Sequence, residues 1–218
     1  MKPDVKLLAA IGVGFGLLYP LFWVLPIPAW AMIAAKGAGV GFLALAAAKS
    51  ALDLDGWLLA LVMALGAIGD VLLDIRFAAG AAGFAMGHLV AIWLYLRNRR
   101  AGARFADMAM AAALFWITSL VPFLLLQGRP EQPAFGAYGL LLGAMAASAW
   151  LSRFPRRLVA LGAVLFVASD LLIAARLGMA ARPIILGLAI WYLYFAGQFL
   201  IFFGISGAVG EWRKLGGA

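Results

Sequence analysis

The sequence predicts an all-α integral membrane protein, one transmembrane domain spanning residues 1–218 and built as a polytopic bundle of eight helices. Three observations predict it. Of the 218 residues, 67% are hydrophobic and 12% charged, with a mean hydropathy of +1.05, and a soluble domain of this length has too little interior to hide that much apolar surface. The charges cluster in short segments between long apolar runs, as in chains that thread a bilayer repeatedly. Those runs are continuous rather than alternating, which speaks against a β-barrel.

The apolar runs place eight spans. The first, 5–24, lies in "MKPDVKLLAAIGVGFGLLYPLFWVL". "AWA" at 29–31 has the small-residue pattern of a signal-peptide cleavage site. The preceding apolar stretch, however, is about 18 residues long against the 7–15 of a signal-peptide core, so this span is expected to be retained. The others are 29–48, 57–75, 79–97, 104–126, 134–150, 157–176 and 183–208. Each is close to the roughly 20 residues that cross the hydrocarbon core. "IGVGFG" has no strand before it and lies inside an apolar helix, so it is not a dinucleotide loop. Gly12 and Gly16, like Gly37 and Gly41, have the four-residue spacing of closely packed helices.

Charge sets the expected orientation. With the N-terminus inside, the inner segments hold Lys2, Lys6, Lys49, Arg97, Arg99, Arg100, Arg104, Arg153, Arg156, Arg157, Arg213 and Lys214. The outer segments hold Arg76, Arg129, Arg176 and Arg182. This excess of inner cations predicts that both termini are cytoplasmic. The net charge of +8 belongs to membrane-flanking segments that orient helices and meet anionic lipids, not to a nucleic-acid surface. There is no cysteine, which removes disulfides, thiolate metal sites and a thiol nucleophile. One histidine leaves too few ligands for a tight zinc site, so no metal or cofactor is expected.

Against this background three acids stand out. "AIGDVLLDIR" (67–76) and "VASDLLIAAR" (167–176) align at an offset of 100 residues, matching Asp70 with Asp170, Leu72 with Leu172 and Arg76 with Arg176. The two segments are the third and seventh spans, which run in the same direction. The acids should therefore lie at one depth, in the outer half, and a four-plus-four parallel repeat would turn them toward each other. An Asp at the centre of a bilayer costs roughly 2.5 to 3.5 kcal/mol, so two need a reason. Asp70 and Asp170 are either a polar clasp between helices or a functional site, hydrolytic or proton-relaying. Asp74, one turn from Asp70, reads as structural, solvated or paired with Arg76.

Other polar groups share that depth. Lys36 is either the charge partner of an aspartate or a contact to an anionic head group. His88, the only histidine, is either a satisfied core residue or a group that orients a carboxylate or relays a proton. Tyr194 and Gln198, at i and i+4, share one face of the last span, where Gln198 bonds a neighbouring helix or holds a water or a substrate oxygen. Tyr138 and Ser169 are weaker candidates of the same kind, for which core or helix-packing roles are the first reading.

The order of these motifs resembles the lysoplasmalogenase family of eight-span membrane proteins, also called the YhhN family. The likeness rests on "GDVLL" (69–73) with "GFAMGH" (83–88), "LFVASDLLIA" (165–174) and "YFAGQFLI" (194–201), and on the Lys36 segment, where Gly37 replaces the proline that often follows the lysine. The resemblance implies hydrolysis of the vinyl-ether bond of lysoplasmalogens, giving a fatty aldehyde and a glycerophospho-alcohol. It also implies roles for Lys36, Asp70, His88, Asp170, Tyr194 and Gln198. The expected partners are a lysophospholipid substrate and the surrounding lipids of a cell membrane, a bacterial inner membrane in particular.

The chemistry agrees with the residues. A vinyl ether is cleaved by protonating its β-carbon, adding water to the resulting oxocarbenium ion and letting the hemiacetal collapse. Poor hydration and a second carboxylate both favour the protonated form of a carboxyl group, which supplies the acid. An ionised partner stabilises the cation and deprotonates the water. Asp70 and Asp170 are thus the expected catalytic pair, with Lys36, His88, Tyr194 and Gln198 binding or orienting substrate. Two rivals use the same acids: a small proton-coupled transporter and a lipid-binding membrane protein without catalysis. Pro122 is the only proline well inside a span, so the broken helices of a transporter are not evident.

Overall fold

The computed structural model describes residues 2–179, 181 and 183–215, so Arg182, counted above among the outer cations, lies outside the described residues. The chain forms α1 (Pro3–Phe22), α2 (Ala29–Ser50), α3 (Leu54–Ile75), α4 (Phe77–Arg97), α5 (Phe105–Leu125), α6 (Gln132–Leu151), α7 (Leu161–Gly178) and α8 (Ile184–Lys214). A five-residue π-helical turn, Arg156–Ala160, leads into α7. All eight spans are long and apolar enough to cross a membrane. The chain is a multi-pass membrane protein of the expected all-α class.

Short connections make neighbours antiparallel. Arg76 alone, in an extended conformation, joins α3 to α4. Helices α1 to α4 pack in sequence, as do α5 with α6 and α7 with α8. The two groups meet where α4 packs on α6, while α8 lies against α1, α2 and α3 as well as α7. Helix α8 is therefore the element that brings residues of the first half beside those of the second.

Large apolar side chains cover the outside, among them Leu7, Trp30, Leu61, Trp93, Trp116 and Phe203. That surface suits hydrocarbon as solvent, which supplies no force driving helices together. Small residues at the crossings let backbones approach instead. A Cβ on Gly162 would sit 2.7 Å from the carbonyl oxygen of Gly197, and one on Gly197 equally close to that of Gly162, so α7 and α8 cross backbone to backbone. A Cβ on Gly12 would meet Gly39 O at 2.8 Å, one on Gly37 would meet Val71 at 2.6 Å, and Gly16 is capped by the ring of Phe195. Gly41 makes ordinary contact only.

The basic residues gather at the end that carries both termini, and ion pairs tie the helices there. Asp4 pairs with Lys49 at 2.9 Å, Asp55 with Arg97 at 2.7 Å, Asp107 with Arg156 at 2.8 Å and Asp53 with Arg213 at 3.0 Å. Helix α8 runs to Lys214, past the expected end at 208. The apolar run ends before Glu211, but Trp212 stacks on Phe154 with ring centroids 5.2 Å apart and lies under the Arg153 guanidinium at 3.8 Å. Tertiary packing of that last turn carries the helix beyond its apolar run.

Candidate functional site

Glycines build the crossing of α3 and α4. A Cβ on Gly69 would strike the Phe84 ring at 2.8 Å, and one on Gly83 would lie 3.2 Å from Gly69 Cα. The "GDVLL" and "GFAMGH" segments are thus two halves of one close helix contact, with Asp70 on one side and His88 on the other.

Asp70 is 2% exposed. Tyr194 Oη on α8 donates to its Oδ2 at 2.7 Å, and Gln198 Nε2 in turn donates to Tyr194 Oη at 3.4 Å. The i, i+4 spacing expected to align Tyr194 and Gln198 does so. Gly66 makes room for the amide, since a Cβ there would come within 2.7 Å of Gln198 Nε2.

Asp170 on α7 is half-buried and has its own tyrosine. Tyr138 Oη on α6 donates to Asp170 Oδ2 at 2.9 Å and lies 3.0 Å from His88 Nε2. A phenol has one proton to give. With Asp170 ionised, that proton goes to Oδ2 and His88 must present Nε2–H. With Asp170 protonated, the same chain can run in reverse, toward a bare Nε2. Three side chains on three helices therefore form a hydrogen-bonded chain of reversible direction.

The two carboxyl groups are not hydrogen-bonded to each other, and α3 does not pack on α7. Rings join them instead. Tyr194 packs edge-on against Phe84 and Phe166, with centroids 5.6 and 5.3 Å apart, and Phe166 packs edge-on against His88 at 5.1 Å. Among the described residues, Oδ1 of each aspartate has no hydrogen-bond partner, leaving one oxygen per carboxyl for chemistry. Beside the rings is a void of about 20 Å³, measured as space for the centre of a water-sized sphere and lined by Gly66, His88, Tyr95 and Gln198 among others. It has room for about one water. Tyr95 Oη is buried there without a partner.

Lys36 bonds Asp74, Nζ to Oδ1 at 2.6 Å, with 14% and 33% of their side chains exposed. Asp74 thus pairs with Lys36 rather than Arg76, a correction, and Lys36 is the charge partner of an aspartate as one of its two readings had it, though of Asp74 and not of Asp70 or Asp170. Ser169 donates to Ile190 O at 2.9 Å, the helix-packing role expected of it. Tyr138 is the residue the sequence reading ranked too low, as a core or helix-packing side chain. Its position six residues inside α6 sets it as deep as Lys36 and Asp170, which is the signal that would have raised it. Lys36, Asp70, His88, Tyr138 and Asp170 lie 5 to 11 residues from the helix ends opposite the basic face, about 8 to 17 Å deep.

The YhhN family model matches residues 31–205, a stretch holding every residue of this polar layer. No curated protein and no solved structure matches the chain.

Proposed function

We infer the function from the premise that the chain belongs to the YhhN family and from two aspartates within the spans that each hold a tyrosine hydroxyl. The reading is a membrane hydrolase that cleaves the vinyl-ether bond of a lysoplasmalogen-type lysophospholipid, releasing a fatty aldehyde and a glycerophospho-alcohol. The observation that carries it is the pair of bonds from Tyr194 to Asp70 and from Tyr138 to Asp170, each leaving one carboxyl oxygen unbonded.

The two carboxyl groups divide the work. Asp170, whose chain through Tyr138 ends on a His88 nitrogen that can donate or accept, gives a proton to the β-carbon of the vinyl ether. The oxocarbenium ion that forms is stabilised by ionised Asp70 and by the faces of the surrounding rings. Asp70, whose chain ends on the non-titrating Gln198, takes a proton from the water that adds to this ion. Collapse of the hemiacetal returns a proton from Asp70 to the departing glycerol oxygen, while Asp170 recovers one from the hydroxyl. Vinyl ether and water become aldehyde and alcohol, and both carboxyl groups end as they began.

Depth supports a lipid substrate. The polar layer lies about 8 to 17 Å inside the helix ends, where the first bond of an acyl-type chain meets the glycerol of a membrane lipid. Lys36, 14% exposed beside Asp74, is suited to meet the phosphate. The 12 basic residues at the end bearing both termini support cytoplasmic termini, hence a site nearer the outer face of a bacterial inner membrane. The test is direct: purified protein is incubated with a lysoplasmalogen and, separately, with a saturated acyl lysophospholipid. Fatty aldehyde should appear from the first alone. Lysolipid left intact, with proton-coupled flux in proteoliposomes, would establish the transporter reading instead.

A further inference from the structure

At the far end of the bundle, the ends of α1, α2, α3 and α8 line a partly open cavity of about 400 Å³. Gly56 on its wall and Asp70 belong to the same helix and are about 21 Å apart along its axis. It is a separate place from the polar layer, on the face that carries the basic residues.

Its lining has two characters. Val5, Ala47, Leu59 and Val209 make an apolar wall, and Lys2, Lys49 and Arg213 supply cations. Lys49 is paired with Asp4 at 2.9 Å and Arg213 with Asp53 at 3.0 Å, while Lys2 has no carboxylate partner among the described residues. Three cations against two carboxylates leave one positive charge in excess. Two polar atoms on the wall are also buried without a hydrogen-bond partner, Ser206 Oγ and Arg213 Nε, the latter near Asp53 but not aligned to bond it. Buried donors left unbonded are costly, so they ask for an acceptor. Ser206, Val209, Gly210 and Arg213 fall at i, i+3, i+4 and i+7 and so present one face of α8 to this space.

We propose that this cavity binds an anionic membrane phospholipid, its phosphate on Lys2, Lys49 and Arg213 and its first acyl carbons along Val5, Leu59 and Val209. A phosphate brings an acceptor for Arg213 and the negative charge that the cations exceed their carboxylates by, and the lipid's ester oxygens bring one for Ser206, two turns deeper on α8. The apolar wall selects a lipid over a free anion, which would leave that wall wet. Basic pockets between transmembrane helices on the cytoplasmic side hold anionic head groups by this combination.

Native mass spectrometry of the purified full chain, with phosphatidylglycerol, phosphatidylcholine and glycerol phosphate as probes, tests it. Phosphatidylglycerol should be retained well above the other two. Combining Lys2→Gln, Lys49→Gln and Arg213→Gln should weaken retention about fivefold for each cation removed. Gly210→Leu provides an arm that keeps every charge: a Cβ at Gly210 meets nothing within 4 Å, so the side chain fills the cavity without strain and should abolish retention. Equal retention of phosphatidylcholine, glycerol phosphate binding as well as the lipid, or undiminished retention by Gly210→Leu would each overturn the proposal.

Discussion

Tyr138 donates its hydroxyl to Asp170 at 2.9 Å, and the same oxygen lies 3.0 Å from the only histidine of the chain. One phenol thereby ties α4, α6 and α7 together at the depth of the conspicuous acids. The bond makes Asp170 a different group from Asp70, although both accept from a tyrosine. The chain behind Asp170 ends on an imidazole, whose ring nitrogens can each donate or accept a hydrogen bond, and the chain behind Asp70 ends on an amide, whose nitrogen only donates.

That chain predicts linked consequences for substitutions at Tyr138 and His88. Tyr138→Phe removes the link between Asp170 and His88 and should slow aldehyde release about 10- to 100-fold, the value of one hydrogen bond to a charged group. His88→Gln should fall in the same range, and combining the two should add little, because both break one chain. Measuring kcat for the two single variants and the double variant checks this. Multiplying losses would show that His88 and Tyr138 act separately.

Asp70→Asn and Asp170→Asn keep the shape of each side chain and the capacity to accept from its tyrosine. They should fold as wild type yet lose aldehyde release by about 100- to 10,000-fold, the usual contribution of a positioned acid or base. Elution of a single symmetric species in detergent, alongside the aldehyde assay, separates chemistry from folding. Unimpaired turnover in both variants would remove the carboxyl groups from the mechanism.

The fold was legible because hydropathy writes membrane helices plainly: seven of the eight spans end within about three residues of the expected limits. The exception is the C-terminus of α8, where the stacking of Trp212 on Phe154 carries the helix past the end of its apolar run. The site was legible in its costly residues, since an acid, a lysine or a histidine within an apolar run attracts notice by itself. Tyr138 ranked below them, because a tyrosine costs little at that depth and its value comes from Asp170 and His88, distant in sequence. For the same reason the partner of Asp74 was misread: Arg76 is adjacent in the chain, but a helix turn aims the carboxylate at Lys36 on α2.

Lys36 and Asp74 give a third prediction. Lys36→Gln should raise KM for a phosphorylated lysolipid while leaving kcat nearly unchanged, the signature of lost ground-state binding. Asp74→Asn deprives the mostly buried Lys36 of its partner and should lower stability by about 1 to 3 kcal/mol, yet leave the ammonium free to meet phosphate and KM no higher. Thermal unfolding in detergent and steady-state kinetics on the two variants distinguish these effects. An equal rise in KM for both would mean that the ion pair acts as a unit and the lysine does not reach substrate.

The glycine-built crossing of α3 and α4 makes the last prediction. A Cβ at Gly80 would lie 2.5 Å from the backbone nitrogen of Leu73 and 2.6 Å from its Cα, and neither can swing aside as a side chain would. Gly80→Ala must therefore push α4 away from α3, at a cost of about 1 to 3 kcal/mol for overpacking. The shift would be felt at Phe84 and His88, one and two turns further along α4, so activity should fall together with the melting temperature. Gly14→Ala and Gly207→Ala, in helices where a Cβ meets nothing within 4 Å, should be neutral or stabilising by up to about 1 kcal/mol, because alanine favours the helix. Melting temperatures of the three variants in one detergent decide the matter. If Gly80→Ala melts with Gly14→Ala, the crossing is looser than its geometry implies, and the positions of Asp70 and His88 do not depend on it.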